Sequence, residues 1–482
     1  MNEQFRVAQK IGLMFRPETS LPNDIKSWTI SQLHSNSPAL GISSFSSKVE
    51  PWPQSLQPDL IERAELFRLL QGTYLKNREI KNTKEKESKD HQNYIKHSMK
   101  KKDELKFAHR NVYGNDQIRL RLMSFWSNHF TIGDVFMNEA LLGHAMEDAI
   151  LANLNGSFSD MLYKVTTHPG MLTYLDNNNS AGEESKHHFW CRAQTDCQSG
   201  LNDNLGRELL ELHTVSPKAG YTESDIRQTA KVLAGWGAFF DTSIENLKKW
   251  NGTSNHWDMY KSHYAEPGIK TVMGKVIGTG KGGLRQLTDY LASNEYTVMH
   301  LSEKLCRHFV SDTPQARDID FIANAWKGSQ GNLDQIHQAV IELAINSKED
   351  KFQWPINWLF QVIRLSDASY FHGWDSIHGN KESMDVEDIF RELGQSFFSE
   401  RQPNGYSSDK VEWLSGEMLE RRLRFASAIH KLGRVKSSPE QIMDRIGANM
   451  TTRNLVKSAG KNSTDRFTAL MCSPELMGLN SV

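Results

Sequence analysis

Four polar residues of the segment NLGRELLELH, namely Asn204, Arg207, Glu208 and Glu211, stand at i, i+3, i+4 and i+7. A helix would project all four from one face. Two carboxylates one turn apart can hold a divalent metal or divide a proton donor from a proton acceptor, with Arg207 and Asn204 orienting them. Metal sites in helical bundles normally use Glu-x-x-His, and here the second position is Glu. Leu205, Leu209 and Leu212 flank the stripe, which suits a polar site inside a bundle better than open solvent. The plainer alternative is an Arg207–Glu211 ion pair on a wet face. His213 points away from the stripe and must serve another neighbour.

Histidines on other segments could complete such a site. In FWSNHF, His129 shares a helical face with Leu122, Phe125 and Trp126, while Asn128 lies on another. A buried imidazole there needs partners for its ring nitrogens. In THPGMLTYLDNNNS, His168 precedes Pro169, and Asp176 and Asn177 stand where helix gives way to loop, a place that turn chemistry alone also explains. His144 carries Glu147 and Asp148 one turn on, as a solvated helix face would. His187, His188, Cys191 and Cys197 cluster, but the order lacks the paired short cysteine spacing of structural zinc sites. Unpaired thiols are expected there ahead of zinc or a local disulfide. The expected catalytic set is Glu208, Glu211, Arg207, His129, His168 and Asp176, with Glu208, Glu211 and His129 as ligands if a divalent metal is the cofactor.

The elements that must position these residues read as helices. Apolar residues recur at three- and four-residue spacing from Pro58, again from Ile118, and through TVMHLSEKLCRHFVSD, LDQIHQAVIELAINS, PINWLFQVIRLS and GEMLERRLRFASAIHKL. No alternation is long enough for a sheet. The pattern predicts an all-α fold, a large irregular multi-helix bundle with long loops and an extended N-terminal arm. Prolines 17, 22, 38, 51 and 53 set off residues 1–55 as that arm, and 56–482 form one helical domain, with a long loop at 177–201 and a Gly-rich linker at 239–283. The linker's glycines do not follow the phosphate-loop order. In the hairpin, Pro217 should end the first helix and Thr222 with Asp225 should cap the second. The run from Lys76 to Lys106, with eleven Lys or Arg against six Asp or Glu, reads as a solvated helix or connection.

Acidic and basic residues nearly cancel across the 482 residues, leaving a formal charge of -1, which argues against a nucleic-acid binder. Four scattered cysteines suggest a reducing compartment. No stretch reaches the length of a membrane span, and the N-terminus has no signal-like apolar core, so the chain as written is expected in the cytoplasm.

Taken together, FWSNHFTI, HPGMLTYLDNNNS, NDNLGRELLELHTV and GYTESDIRQTAKVLAGW resemble, in order, the motifs of a bacterial family called the domain of unknown function numbered 1800. The likeness continues through EPGIKTVMGK, SEKLCRHFVSD, WPINWLFQVIRL, LGQSFF and RRLRFA. It implies a largely helical protein and singles out Asn128, His129, His168, Asp176, Asn177, Asn204, Arg207, Glu208, Glu211 and His213. Because many members begin with an export signal, it also implies a periplasmic alternative. It further suggests a partner from a second uncharacterised family, numbered 1501, that resembles sulfatases and alkaline phosphatases. Where members have His before an acidic-Pro-Gly turn, this chain has Ala265 before Glu266; if that His is a metal ligand in the family, the resemblance implies that this copy is inactive or uses His263 instead. The expected function is hydrolysis of an envelope or polysaccharide-related substrate; the alternative is a non-catalytic scaffold for that partner or for an envelope polymer.

Overall fold

The segment PINWLFQVIRLS carries one narrow polar stripe, Asn357, Gln361 and Arg364 at i, i+4 and i+7, on an otherwise apolar helix, most of whose surface must be enclosed. It forms the helix Pro355–Ser366, with Pro355 at its first turn, and all 12 of its residues are buried. Its one charged residue, Arg364, donates to the carbonyls of Met14, Asn111, Val112 and Gly114, tying the N-terminal segment to the end of the long helix Lys89–Tyr113. The computed structural model describes residues 1–482 except 45, 47, 69–88, 136–137, 239–258, 377–384, 397, 399–401, 434 and 480–482, and the backbone alone of 89–98.

Helices surround this central one, and the main apolar core runs from Phe5 to Met477, with a second, smaller cluster formed by Leu60, Ala64, Phe67, Leu141, Ala238 and Met259. Strand is confined, among the described residues, to two antiparallel pairs: Leu40–Gly41 with Glu50–Pro51, and Lys270–Val272 with Lys275–Ile277. The fold is therefore mostly helical, as the periodicity predicts. No helix among the described residues is long and apolar enough to cross a membrane.

The segment expected as an arm contributes two helices, Glu3–Ile11 ahead of Pro17 and Ile25–Leu33 between Pro22 and Pro38. The first is core rather than cover, because Phe5, Val7, Ala8 and Ile11 are buried and the Met1 ammonium lies 2.8 Å from Glu475. The expected long loop contains a short helix, Lys186–Arg192. The expected Gly-rich linker contains the second strand pair, which leans on the helix Glu223–Leu233 through a 2.6 Å bond from the Met273 N–H to Asp225. Its residues 239–258 lie outside the described ones.

The charge run departs from expectation. Its first part, 76–88, lies outside the described residues, but Lys100, Asp103, Glu104 and Lys106 are buried, not solvated. Lys100 meets Asp134 at 2.6 Å and Glu387 at 2.9 Å, Arg63 holds Asp103 through two 2.8 Å bonds, and Lys106 meets Glu147 at 2.6 Å. These ion-pair partners come from other segments, which composition within the run does not reveal. Burial pushes the Glu104 carboxyl well above the usual carboxylate range.

Candidate functional site

The carboxylate stripe lies on the helix Asn204–Glu211, which pairs with Glu223–Leu233 in a tight hairpin. The capping box of Thr222 and Asp225 starts the second helix, as its spacing predicts. Close approach is set by Gly206: a Cβ there would stand 2.9 Å from the Ala230 nitrogen and 3.2 Å from the Ile226 carbonyl. The stripe's polar groups are taken up largely within the hairpin. Arg207 makes a two-pronged pair with Glu223, at 2.9 and 2.8 Å, where the side chains are 36% and 77% exposed. Tyr221 donates to Glu211 at 3.3 Å, and Asn204 is exposed. Glu208 is half-buried; desolvation first and the nearby Glu211 second raise its carboxyl above the ordinary range, against Arg207.

The helix delivers chemistry at its C-terminal end instead. The last carbonyls of a helix lack intrahelical donors. Here the turn that follows supplies two carbonyls to imidazoles: Leu212 to His300, and His213 to His129 Nε2 at 3.2 Å. His129 is the last residue of the helix Gln117–His129, and its Nδ1 lies 2.9 Å from the Lys304 ammonium. With Lys304 donating to Nδ1, His129 is a neutral ring whose Nε2–H is directed at the His213 carbonyl. Lys304 belongs to the helix Glu295–Phe309, on which His300, Lys304 and Arg307 recur at i, i+4 and i+7.

His129, Lys304 and Arg307 border a cavity of about 390 Å³, whose lining also includes Asn128, Tyr406 and Asp409. The loop carrying Tyr406 is clamped onto Asn128, whose side chain donates to the Tyr406 carbonyl at 2.9 Å and accepts its N–H at 2.8 Å. Gly405 makes that approach possible. Its φ is +65°, and a Cβ there would lie 2.3 Å from the Asn128 carbonyl.

Burial dominates the electrostatics of this cavity wall. It lowers the Lys304 ammonium to about 8 and, aided by Lys304, His213 and His300, holds His129 well below its usual range. Burial first and Lys304 second bring His213 down to about 3, and the same two causes bring His300 to about 4. The His213 ring packs edge-on against Phe130, and neither of its nitrogens has a hydrogen-bond partner among the described residues. Arg307 is partly committed, to Glu303 at 3.3 Å and to the Asp312 carbonyl at 3.1 Å. Asp409 accepts the Val411 N–H as a helix cap. The arrangement offers a poised amine, a neutral imidazole and a guanidinium on one polar cavity, which suits an anionic group and proton transfer near neutral pH.

Of the expected catalytic set, His129 alone lines this cavity among the described residues. His168 is the N-cap of Pro169–Tyr174: its Nδ1 accepts the Gly170 N–H and its Nε2 lies 3.0 Å from His144 Nδ1. His144 is therefore buried against a histidine and not on a solvated face. Asp176 adopts φ 53°, a conformation Asp tolerates in turns, and receives the Asn202 amide at its carbonyl and carboxylate. Asn177 donates to the Leu233 and Trp236 carbonyls and so pins the loop to the hairpin's end.

Among the described residues, one group of three or more His, Cys, Asp or Glu places its ligand atoms within 4.8 Å of one another: His187, Cys191 and Cys197. Glu208, Glu211 and His129 do not form such a group. Cys191 and Cys197 are joined in a disulfide, which corrects the expectation of unpaired thiols; the helix Lys186–Arg192 and its following turn bring the sulfurs together. Cys306 and Cys472 are free. The backbone N–H of His187 donates to the carbonyl of His263, the proposed substitute for the residue at Ala265.

Lys304, His300 and Arg307 were not singled out from sequence, because a Lys on an amphipathic helix ordinarily faces water. Their common face, and the SEKLCRHFVSD block that contains two of them, is the signal that could have found them. Neither the curated proteins nor the solved structures contain a match to this chain. The family described as "Protein of unknown function (DUF1800)" matches residues 18–475, nearly the whole length, and the chain belongs to that family.

Proposed function

We propose that the chain is a hydrolase-type enzyme that binds an anionic substrate of envelope or polysaccharide origin in the His129–Lys304 cavity. One observation carries this reading: the Lys304 amine, brought down to about 8 by burial, lies 2.9 Å from His129 at the wall of a cavity of about 390 Å³. An amine of that acidity is poised to deliver or accept a proton near neutral pH. His129 Nδ1 accepts one of the Lys304 N–H bonds, and the other Lys304 N–H bonds serve a substrate oxygen. In this reading a water oxygen bonds to the ester centre as the bond to the leaving oxygen breaks, Lys304 gives its proton to that oxygen and the resulting neutral amine takes up the water's proton. Arg307 binds the anionic group and compensates charge that develops in the transition state, and Asn128 fixes the opposite wall. The metal expected at Glu208, Glu211 and His129 is not needed for these roles.

The experiment is hydrolysis of a panel of sulfate esters, phosphate esters and anionic glycans. Turnover should be lost in Lys304→Met and in His129→Phe while both proteins stay folded. A Lys304→Met protein with undiminished turnover sinks the reading.

A second reading, the non-catalytic scaffold, is favoured by the pairing of Arg207 with Glu223 and of Glu211 with Tyr221, which leaves the hairpin face as a finished surface. The sulfatase- or phosphatase-like partner implied by the resemblance belongs to this reading, and co-purification of a stable, non-turning-over complex would favour it. We also propose an oxidising compartment for the chain, on the support of the Cys191–Cys197 disulfide, over the cytoplasm. Thiol counting on protein isolated without reductant tests it: two free thiols are expected, and four would contradict it.

A further inference from the structure

Asn128 and Tyr406 line two cavities, not one. Behind the polar cavity lies a second, narrower space of about 70 Å³, bordered by Phe107, Phe130, Ile132, Leu142, Ala145 and Met146 among others. Its polar wall groups are mostly spoken for. Ser124 donates to the Leu120 carbonyl, Gln395 accepts the Ile356 N–H, and Asn128 is bonded twice to Tyr406. Two wall groups are exceptions among the described residues: the Ser127 hydroxyl, in the residue next to Asn128, and the Trp354 indole N–H are both buried without a hydrogen-bond partner. A cationic cavity and an apolar one thus share a wall, with an unsatisfied hydroxyl beside it.

An apolar space of this size holds about five water-sized groups. Water there would find few polar partners, whereas a short hydrocarbon run or a single ring would fill it. We propose that the substrate is an anionic amphiphile: its charged head lies against Lys304 and Arg307, and a short alkyl or aromatic group enters the apolar cavity past Ser127 and Asn128. This rests on the reading of the polar cavity as the substrate site and adds the class of the substrate's other end.

The test is calorimetric binding of linear alkyl sulfates from one to eight carbons, kept below micelle-forming concentration, to the full chain. Affinity should rise about fourfold per methylene, the value for burying a CH₂ group, and level off near the fifth carbon. Leu142→Ala should move the levelling point out by one or two carbons, and Ala145→Leu should move it in. Those opposite shifts cannot come from general loss of folding. Lys304→Met should weaken every member of the series by a similar factor. Methyl sulfate binding with no dependence on chain length overturns the amphiphile inference and leaves the anion site standing. Absence of binding across the series overturns both. Chain-length dependence that Leu142→Ala and Ala145→Leu leave unmoved places the tail elsewhere and overturns the inference alone.

Discussion

The hairpin face and the His129 cavity hold the same kinds of residue under opposite conditions. On the hairpin, Arg207 and Glu223 meet at the surface, and water does most of the solvation. At the cavity, Lys304 and His129, with His213 and His300 nearby, are largely buried, so their charged forms are suppressed and the Lys304 proton affinity moves toward neutral pH. Spacing alone favours the hairpin, with two carboxylates on one face. Environment favours the cavity, since a shifted proton affinity beside space for a substrate is what acid–base chemistry requires.

The largest expected contrast is with acid. His109, His129, His213, His300, His308 and His337 are all held below the ordinary histidine range, with burial as the leading cause. Unfolded histidines take up protons as pH falls through about 6.5, whereas the folded ones wait until far lower. Stability is therefore lost as pH falls below that point, by ~1.4 kcal/mol per pH unit for each group. Against a total of ~5–15 kcal/mol, urea melts should show unfolding before about pH 5. The Arg207-paired Glu223 carboxyl is held below its usual range, so its contribution persists until the pH is lower still and cannot mask this loss. A chain as stable at pH 4.5 as at pH 7 would show that the histidines are not dry.

Next come the two close approaches. Gly405→Ala adds a clash and a strained φ, and should cost ~2–4 kcal/mol in urea while weakening anion binding. Gly206→Ala adds only the helix–helix clash, and should cost ~1–3 kcal/mol with anion binding intact. Equal effects on binding would erase the distinction between the regions.

Smaller, and opposite in sign, is Lys304→Met. The folded amine titrates near 8 and the unfolded one near 10.5, so the folded state holds its proton less well, and stability from this group rises with pH across that window. Removing the charge should raise stability at pH 7 by ~1–2 kcal/mol, allowing for the lost bond to His129, and the gain should fade as pH passes from 8 to 10.5. The smallest effect belongs to Glu208→Gln. A raised carboxyl favours folding below the unfolded value and loses that contribution as pH rises through the folded one. The variant should melt slightly higher than the parent at pH 7 and equally at pH 4, whereas a marked loss at pH 7 would support the scaffold reading.

Much of the fold could be read from the chain because it is written locally. The burial of most of the helix Pro355–Ser366 follows from how much of its circumference is apolar, and the start of Glu223–Leu233 from Thr222 and Asp225. What could not be read depends on distant segments. Lys100 and Asp103 look solvated until Asp134, Glu387 and Arg63 are brought to them, and Lys304 looks like a surface lysine until His129 arrives from 175 residues away. The stripe at Asn204, Arg207, Glu208 and Glu211 was legible as a face but not as to what it faces. His213, expected to serve another neighbour, does so through its carbonyl.

The most direct test is to measure turnover on the anionic ester and glycan panel for the parent, Lys304→Met and Glu208→Gln side by side, each shown to be folded by its melting curve. The account predicts that Lys304→Met loses activity while melting no lower than the parent, and that Glu208→Gln keeps it. Activity lost in Glu208→Gln and kept in Lys304→Met would return the chemistry to the hairpin and contradict the account.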